Sequence, residues 1–328
     1  MNEQATPLPG DRLNLRVRQI RYEGVGINSY EFVDPSGAKL PAFEAGAHLD
    51  VHLGDGLTRQ YSLCNDPAER HRYVIAVLRD ENGRGGSKTL HGTLRVQDMV
   101  RVSHPRNNFH LKPTNKVILL AGGIGVTPLK SMAHQLAREG VDYALHYCAK
   151  DQLHTAFQEE LGHPEHEGRH FYHFDNGDPS NGLNIAELLR DRVEDTHLYY
   201  CGPGGFMKAC SAASQHWPAG TVHFEHFKAP VSQQPDSDSV PGSFTVKLLS
   251  TEAVVVVSSS QSIVEALADA GTVVETSCQS GLCGSCKVRF VSGEVEHNDC
   301  ILNDEEHQEF LTACVSRARS GTCLVLDL

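Results

Sequence analysis

Four cysteines in the C-terminal part of the chain constrain its fold more than any other feature. They follow the spacing C-x4-C-x2-C-x27-C and are Cys278, Cys283, Cys286 and Cys314. This is the spacing of plant-type ferredoxins, in which four thiolates hold a [2Fe–2S] cluster. A loop with these ligands has to wrap tightly around a compact inorganic group. The sequence therefore predicts a domain built around a one-electron carrier.

The residues between these cysteines favour a cluster over the other uses of thiols. Gly281 and Gly284 can adopt backbone angles that other residues resist, which would let the loop turn its N–H groups toward sulfur. Zinc also accepts four cysteine ligands, but zinc knuckles prefer paired C-x2-C units, and only one such pair occurs here. Four scattered free thiols are the remaining alternative.

Length and charge narrow the class of protein further. A chain of 328 residues is expected to form two or three domains. A formal net charge of −12 argues against nucleic acid or an anionic membrane surface as the partner. The N-terminus is polar, and no run approaches the ~18 apolar residues of a membrane span. We expect a cytoplasmic protein whose remaining cysteines are reduced.

Composition and periodicity divide the chain into three parts. Residues 1–112 contain short alternating strands, which indicate an antiparallel barrel or sandwich. Residues 113–228 alternate apolar strands with helices, as in a parallel α/β sheet. Residues 229–242 are rich in Pro, Ser and Asp and predict a linker. Residues 243–328 have the size of a ferredoxin and contain the four cysteines.

Two glycine-rich turns follow predicted parallel strands. The apolar run 117–121 leads into Gly122, Gly123, Gly125 and Thr127, and then into an apolar helix. Bare N–H groups at the start of a helix bind a pyrophosphate, although an ordinary tight turn is the alternative. The second turn, with Cys201, Gly202 and Pro203, follows another strand. Such strand ends line the ligand crevice of a parallel sheet, so Cys201 is a candidate nicotinamide contact or, alternatively, a buried structural cysteine.

The first domain carries a second set of candidate ligands. Arg59 can hold a phosphate through two hydrogen bonds, Tyr61 offers a flat ring, and the Ser62 hydroxyl can reach a ring nitrogen. The glycine-rich loop 84–87 can cradle a phosphate. A plain strand and a plain loop are the alternatives.

Taken together, these segments resemble the phthalate dioxygenase reductase and vanillate O-demethylase reductase family over residues 10–328. The resemblance rests on R-x-Y-S-L, R-G-G-S, G-G-I-G-x-T-P, C-G-P, H-F-E-x-F and the four cysteines, in that order. It implies an antiparallel β-barrel that binds FMN, an α/β domain that binds NADH, and an α+β [2Fe–2S] domain of the β-grasp type.

The resemblance also implies roles for individual residues. Ser62, Thr127 and Cys201 would lie at the reacting rings, with Phe227 packed near the flavin. One departure is Leu78, where some relatives carry a basic residue. The implied contacts of FMN are Arg59, Gln60, Tyr61 and Ser62 on one strand, the backbone of Ala76, Val77 and Leu78, and the phosphate loop Arg84, Gly85, Gly86 and Ser87.

The preference for NADH over NADPH has weaker support in the residues. Asp151 follows a predicted strand, where a carboxylate accepts from a ribose hydroxyl and repels a 2′-phosphate. Lys150 beside it weakens this argument, so NADH is expected mainly from the resemblance.

The implied activity is that of an adaptor between two-electron and one-electron carriers. A hydride would pass from NADH to FMN, and single electrons would pass through the cluster to the family's partner, a Rieske-type oxygenase. A monomer is expected. An acidic group, Asp299, Asp304, Glu305, Glu306 and Glu309, predicts a docking patch for that partner, with a merely solvated face as the alternative. A free-standing flavin reductase and an iron–sulfur redox sensor are the competing functions.

Overall fold

The computed structural model describes residues 12–54, 57–83, 85–228 and 242–328. It forms two compact units, Met1–Phe227 and Lys228–Leu328. Arg84 and nearly all of the predicted linker lie outside the described residues. Within the described ranges, no helix combines the length and the apolarity that crossing a bilayer requires.

The first unit begins with an antiparallel sheet whose strands alternate between a buried and an exposed face. Residues such as Leu15, Val17, Phe32 and Leu49 fill its interior. The strands are β1 (Arg12–Gly24), β2 (Ile27–Val33), β3 (Ala47–His52), β4 (Thr58–Ser62), β5 (Tyr73–Leu78), β6 (Met99–Ser103) and β7 (Arg106–Asn107). Their order is β4-β3-β6-β1-β2-β5, and β7 pairs with β3. An antiparallel bridge between Leu63 and Ile75 also brings the two ends of this order together.

One helix, α1 (Gly86–Thr93), interrupts the antiparallel part of the chain between β5 and β6. Leu90 is its buried anchor in the interior of the sheet. Gly85 precedes the helix with a φ of 83°, a left-handed angle that glycine adopts without strain. The chain can therefore turn abruptly from the end of β5 into the helix.

A five-stranded parallel sheet completes the first unit. Two of its inner strands, 116–122 and 196–201, are largely buried because helices pack against the sheet. The strands are β8 (Lys116–Gly122), β9 (Asp142–Ala149), β10 (His170–Phe174), β11 (Thr196–Cys201) and β12 (Val222–Glu225). The helices are α2 (Val126–Glu139), α3 (Gln158–Leu161), α4 (Ile185–Leu189) and α5 (Gly204–Ala213).

The order of the parallel strands creates a ligand crevice. The sheet runs β10-β9-β8-β11-β12, so the chain first moves outward from β8 and then returns to its other side. Ligands of such sheets bind beyond the carboxyl ends of the strands at this switch point. Here the switch lies between β8 and β11, and the two predicted glycine-rich turns follow these strands.

The second unit is a small α+β domain. Its strands are β13 (Phe244–Leu248), β14 (Val254–Val257), β15 (Lys287–Ser292), β16 (Val295–Glu296), β17 (Phe310–Thr312), β18 (Arg317–Ala318) and β19 (Cys323–Leu326), and its helix is α6 (Ile263–Asp269). The main sheet has the order β14-β13-β19-β15-β17. Ser262 and Glu265 form a reciprocal capping box that fixes the start of α6. The cluster cysteines lie in the irregular chain outside these strands.

Candidate cofactor-binding sites

The start of α1 and the Arg59 side chain form a cradle for a phosphate. A Cβ atom built on Gly86 would lie 2.3 Å from Cγ of Arg59, so only a glycine lets the guanidinium arm pass across the start of the helix. The Ser87 hydroxyl accepts a hydrogen bond from the Asp80 N–H at 3.0 Å, which fixes the loop. Helix N–H groups and an arginine together suit a phosphate monoester. The predicted phosphate loop fits FMN in its described part, Gly85 to Ser87.

Gln60 and Tyr61 are held on β4 by their neighbours. Gln60 donates to Oδ1 of Asp50 at 3.2 Å, and Arg106 pairs with the same carboxylate at 2.6 Å. Tyr61 is half-buried, and burial raises the pKa of its hydroxyl, so the ring stays a neutral phenol. A neutral, partly exposed ring is suited to stacking against an isoalloxazine.

His48 supplies an independent indication that this face of the sheet takes a ligand. It pairs with Ser62 across β3 and β4, so both side chains lie on the same face. Both ring nitrogens of His48 are buried and lack a hydrogen-bond partner among the described residues. Burial, followed by the charge of Arg106, lowers the pKa of His48 to about 4, so the ring is neutral. Buried polar atoms without partners are rare, and a polar ligand would satisfy them.

Ser62 links the antiparallel sheet to the parallel sheet. Its hydroxyl donates to Oε2 of Glu225 at 3.4 Å, and Glu225 ends β12 beside Cys201 in the strand register. Burial raises the pKa of Glu225 to about 8, so its carboxyl group is mostly protonated at neutral pH. The sequence reasoning did not single out Glu225. Its signal was an acid at the carboxyl end of a parallel strand, within H-F-E-x-F.

The two glycine-rich turns touch each other at the switch point. A Cβ on Gly125 would lie 2.2 Å from the Cys201 carbonyl oxygen, and one on Gly122 would lie 2.9 Å from Cδ of Pro203. Contact this close requires glycine at both positions. The fold therefore brings together two turns that lie some eighty residues apart in the sequence, at the switch point beyond which ligands of such sheets bind.

Thr127 and Cys201 are more enclosed than the sequence indicated. Thr127 is 2% exposed, and its hydroxyl donates to the Ile124 carbonyl at 3.0 Å. Cys201 has no exposed surface and packs into the core of the α/β part. Burial, and then the nearby Glu225, raises the pKa of its thiol well above the usual value. In this structure the Cys201 side chain is a core residue, the alternative that the sequence left open.

The other predicted contacts surround these sites. Ala76 and Val77 are buried on β5, and His91 donates through Nε2 to the Val77 carbonyl at 2.9 Å. Leu78 and Phe227 are 42% and 38% exposed, so both present apolar surface. Asp151 accepts from the N–H of His154 at 3.0 Å, and its hydrogen bonds to that residue lower its pKa. Its carboxylate is thus already used within its own loop.

Helix α2 is fastened to the antiparallel part by hydrogen bonds to backbone oxygens. The buried Lys130 donates to the Cys64 carbonyl at 2.9 Å, and Ser131 donates to the Asn65 carbonyl at 3.0 Å. Arg138 pairs with Asp66 at the far end of the same helix. These contacts join the antiparallel sheet, with the predicted flavin site (the flavin-type site), to the parallel sheet, with the predicted nucleotide site (the nucleotide-type site).

The four predicted ligands converge in the second unit. Cys278, Cys283 and Cys286 are buried, and Cys314 is partly buried. The side chains of Cys283 and Cys314 both lie within hydrogen-bond reach of Cys278, and Cys314 also reaches Cys286. Four buried thiols that meet in one loop suit a metal centre rather than scattered roles.

The backbone around these thiols suits a cluster. The N–H groups of Ser280 and Leu282 point at Sγ of Cys278, each at 3.4 Å, and the N–H of Ser285 points at Sγ of Cys283 at 3.4 Å. Gly281 and Gly284 have φ of 69° and 73°, as their predicted role requires. Hydrogen bonds to sulfur stabilise the charge of a thiolate-bound cluster and tune its potential.

Two family models match the chain. The "2Fe-2S iron-sulfur cluster binding domain" matches residues 246–319, and the "Oxidoreductase NAD-binding domain" matches residues 119–212. The first includes all four cysteines, and the second includes both glycine-rich turns.

Curated proteins and solved structures match over nearly the whole length. The chain is 55% identical to the "tert-butanol monooxygenase / tert-amyl alcohol desaturase reductase subunit" of Aquincola tertiaricarbonis, over 98% of this chain and 97% of that protein. It is 44% identical to the "vanillate O-demethylase oxidoreductase" of Pseudomonas sp. strain HR199, over 95% and 98%. A solved phthalate dioxygenase reductase, 43% identical, superposes with a TM-score of 0.75 over 97% of this chain and 98% of that one.

These matches confirm several predictions. The chain is an oxidoreductase with an antiparallel-sheet domain, a parallel-sheet domain and a [2Fe–2S] domain. Its cofactors are NADH, FMN and the [2Fe–2S] cluster. Its relatives are reductase subunits of oxygenase systems. This chain belongs to the phthalate dioxygenase reductase and vanillate O-demethylase reductase family, the iron–sulfur flavoproteins that pass electrons from NADH to an oxygenase.

Proposed function

We propose that this chain is the reductase of a two-component Rieske-type oxygenase and that its acidic cluster domain docks the oxygenase. The single observation that carries the proposal is the meeting of two half-sites in one unit. Ser62, on the strand proposed to bind FMN, is hydrogen-bonded to Glu225 at the edge of the proposed nucleotide crevice. The four cysteines proposed to hold the cluster lie in the other unit.

The flavin half-site would be built on β4 and the start of α1. Arg59 and the N–H groups at Gly86 and Ser87 would hold the FMN phosphate, and Tyr61 would lie along the ring system. The phosphate cradle supports FMN because its described residues have the chemistry that a terminal monoester requires. Bound FMN accepts a hydride and releases electrons singly, which is the chemistry that a cluster partner needs.

The nucleotide half-site would lie in the crevice between the two glycine-rich turns. Gly122, Gly123 and Gly125 would face the pyrophosphate, while Gly202 and Pro203 would border the nicotinamide. Ser62 would orient the flavin, and the protonated Glu225 would keep negative charge away from the reacting rings. The buried Thr127 and Cys201 would shape the wall of the crevice through packing, and neither would react with the cofactors.

Three finer features of the architecture belong to the proposal. The bridge between Leu63 and Ile75 supports closure of the antiparallel sheet into a barrel. The mixed sheet packed with α6 supports a β-grasp form for the cluster domain. We propose domain boundaries at 1–112, 113–228 and 243–328, with a linker at 229–242, and a monomer in solution.

The docking surface would be the acidic side of the cluster domain. Residues 242–328 hold 5 basic and 12 acidic side chains, a net charge of −7. Asp304, Glu305 and Glu309 are exposed, and Glu309 also lies 3.7 Å from Arg289. Glu306 is paired with Lys287 at 2.6 Å. The side chain of Asp299 has no exposed surface, so it is not part of this face. A basic patch on the oxygenase would complement the three exposed carboxylates.

An anaerobic titration with NADH, followed by visible absorbance and EPR, tests the electron pathway. We expect the flavin and iron–sulfur bands to bleach together, and the reduced protein to give a rhombic [2Fe–2S] signal. Flavin bleaching with an oxidised cluster would instead favour a free-standing flavin reductase.

The docking part of the proposal has its own test. Electron transfer to the purified oxygenase should slow steeply as salt rises, because exposed charges more than about 10 Å apart are screened at 0.1 M ionic strength. The variant Asp304→Asn/Glu305→Gln/Glu309→Gln should show a flat profile, while its NADH-dependent flavin reduction stays unchanged. A flat profile for the unaltered protein would exclude electrostatic docking.

A further inference from the structure

A histidine–aspartate cluster lies in the second unit, beside the loop that carries Cys278 and Cys283: a Cβ built on Gly281 of that loop would lie 2.9 Å from the Cα of Asp299. The histidine–aspartate cluster consists of His297, Asp299 and His307. The two imidazole rings stack with their centroids 4.0 Å apart and an interplanar angle of 26°. Asp299 lies beneath them with a side chain that has no exposed surface. An aspartate is almost never fully buried unless its charge is compensated.

The donor atoms of this cluster have the separations of a metal site. Oδ1 of Asp299 lies 3.3 Å from Nε2 of His307 and 3.9 Å from Nδ1 of His297. One donor atom from each residue can be chosen so that all three lie within 4.8 Å of one another. Zinc bonds of about 2.0–2.2 Å in a tetrahedron place neighbouring donors about 3.3 Å apart. Because the two imidazole rings are stacked, the ring of His297 would also have to rotate to turn its Nδ1 lone pair toward the ion.

One further observation favours a bound cation, and a second shows how the carboxylate is held. Nδ1 of His297 is buried and has no hydrogen-bond partner among the described residues, although such atoms normally find one. The Asp299 carboxylate is held in place from the other side, because Oδ2 accepts from the N–H groups of Leu302 at 2.9 Å and Ile301 at 3.3 Å. The residues thus place three potential donor atoms within 4.8 Å of one another.

The charge around the histidine–aspartate cluster favours a cation as its ligand. The exposed Asp304, Glu305 and Glu309 follow on the same stretch of chain, in a domain with an excess of acidic residues. Negative potential raises the local concentration of divalent cations. Two imidazoles and one carboxylate suit Zn²⁺ and its neighbours in the first transition series, whereas Mg²⁺ and Ca²⁺ prefer oxygen ligands alone.

We propose that His297, Asp299 and His307 bind one divalent transition-metal ion, best fitted by Zn²⁺, at a site separate from the [2Fe–2S] cluster. Nδ1 of His297, Oδ1 of Asp299 and Nε2 of His307 are the three protein ligands, and water takes the fourth position. The site rests on the geometry of this domain and does not depend on the proposed docking of an oxygenase.

Isothermal titration of the holoprotein with ZnCl₂ tests the site. We expect one zinc site in the unaltered protein. The affinity for zinc should fall more than about 100-fold in His307→Ala and in His297→Ala, because losing a residue that only hydrogen-bonds to a metal ligand already lowers metal affinity by roughly 10–100-fold. His163→Ala, which removes an exposed histidine of the first unit, is the matched control and should bind zinc unchanged. Visible circular dichroism of the iron–sulfur bands checks that each variant keeps its fold and cluster.

Zinc K-edge X-ray absorption of the one-to-one complex gives a second readout. Nitrogen and oxygen ligands with imidazole scattering would support the site, and sulfur ligands would overturn it by showing zinc on cysteine. The proposal also fails if the unaltered protein binds no zinc at micromolar concentration, or if correctly folded His307→Ala and His297→Ala bind it as tightly as the unaltered protein does.

Discussion

Ser62 and Glu225 are hydrogen-bonded between the two sheets of the first unit, Oγ to Oε2, at 3.4 Å. The contact joins the end of β4 to the end of β12, which lie 163 residues apart in the chain. It brings a titratable group with a strongly shifted pKa to the junction of the flavin-type and nucleotide-type sites.

The raised pKa of Glu225 makes the stability of the flavin-free protein depend on pH. Burial raises this pKa from 4.5 to about 8, so between these values the folded chain holds a proton that the unfolded chain has released. Its stabilising effect is complete below pH 4.5 and is lost as the pH rises toward 8. The slope is at most about 1.4 kcal/mol per pH unit and smaller after solvent screening.

Glu225→Gln should flatten this part of the stability curve, because the amide keeps the shape and cannot ionise. Urea unfolding of the flavin-free proteins at several pH values between about 5 and 8 measures the effect. Parallel curves for the variant and the unaltered protein would show that Glu225 does not titrate in this range.

Gly86→Ala should weaken FMN binding. The added Cβ would lie 2.3 Å from Cγ of Arg59, so the arginine arm would have to leave its position at the start of α1. Loss of one charge-assisted hydrogen bond costs about 1.5–3 kcal/mol, or roughly 10–150-fold in affinity. Fluorescence titration of the flavin-free protein with FMN measures it.

Gly92→Ala is the matched control for this variant. It lies in the same helix, and nothing stands within 4 Å of its added Cβ. It should leave FMN affinity unchanged and stabilise α1 by up to about 1 kcal/mol. Equal affinities of the two variants for FMN would show that Arg59 and Gly86 are not part of the phosphate site.

Cys283→Ala should abolish the cluster and leave flavin reduction intact. A [2Fe–2S] cluster of this type requires four cysteine ligands, whereas the NADH and flavin sites lie in the other unit. We expect no iron–sulfur EPR signal after reduction, no electron delivery to the oxygenase, and normal bleaching of the flavin by NADH. Cys323→Ala, at an exposed cysteine of the same domain, should keep all three properties. Loss of flavin reduction in folded Cys283→Ala would contradict the assignment of flavin reduction and cluster binding to separate units.

Lys130→Met should destabilise the first unit by about 1–3 kcal/mol, the usual cost of leaving a buried acceptor unsatisfied. The ammonium group donates to the Cys64 carbonyl at 2.9 Å and pairs with Glu160 at 2.6 Å, and the side chain is 4% exposed. Denaturant unfolding compares it with Lys208→Met, an exposed lysine on α5 that should unfold like the unaltered protein. Equal midpoints for both variants would show that Lys130 does not fasten α2.

Local sequence determined some of these features and distant packing determined the others. The cysteine spacing and the positive-φ glycines beside it are properties of one short segment, so they can be recognised without a structure. The same holds for the apolar strand before Gly122, whose bounds the structure extends by one residue at each end.

The features that the sequence did not reveal depend on contacts between remote segments. Glu225 acquires its shifted pKa only when folding removes its carboxyl group, at the end of β12, from water. Cys201 was predicted as a nicotinamide contact or a buried structural cysteine, and only the structure shows that its side chain packs in the core. Asp299 was grouped with surface acids, but His297 and His307 close over it. No pattern in a single segment distinguishes these cases.

The hydrogen bonds that hold α2 have a consequence for substitutions in the loop that accepts them. Lys130 and Ser131 grip the carbonyl oxygens of Cys64 and Asn65, and every amino acid carries that oxygen. These two bonds therefore do not depend on which side chains stand at positions 64 and 65, whereas the pair between Arg138 and Asp66 depends on the side chain at position 66. Two of the three contacts that hold α2 thus survive a change of side chain on the loop, as long as the helix keeps its lysine and its serine and the loop keeps its backbone path.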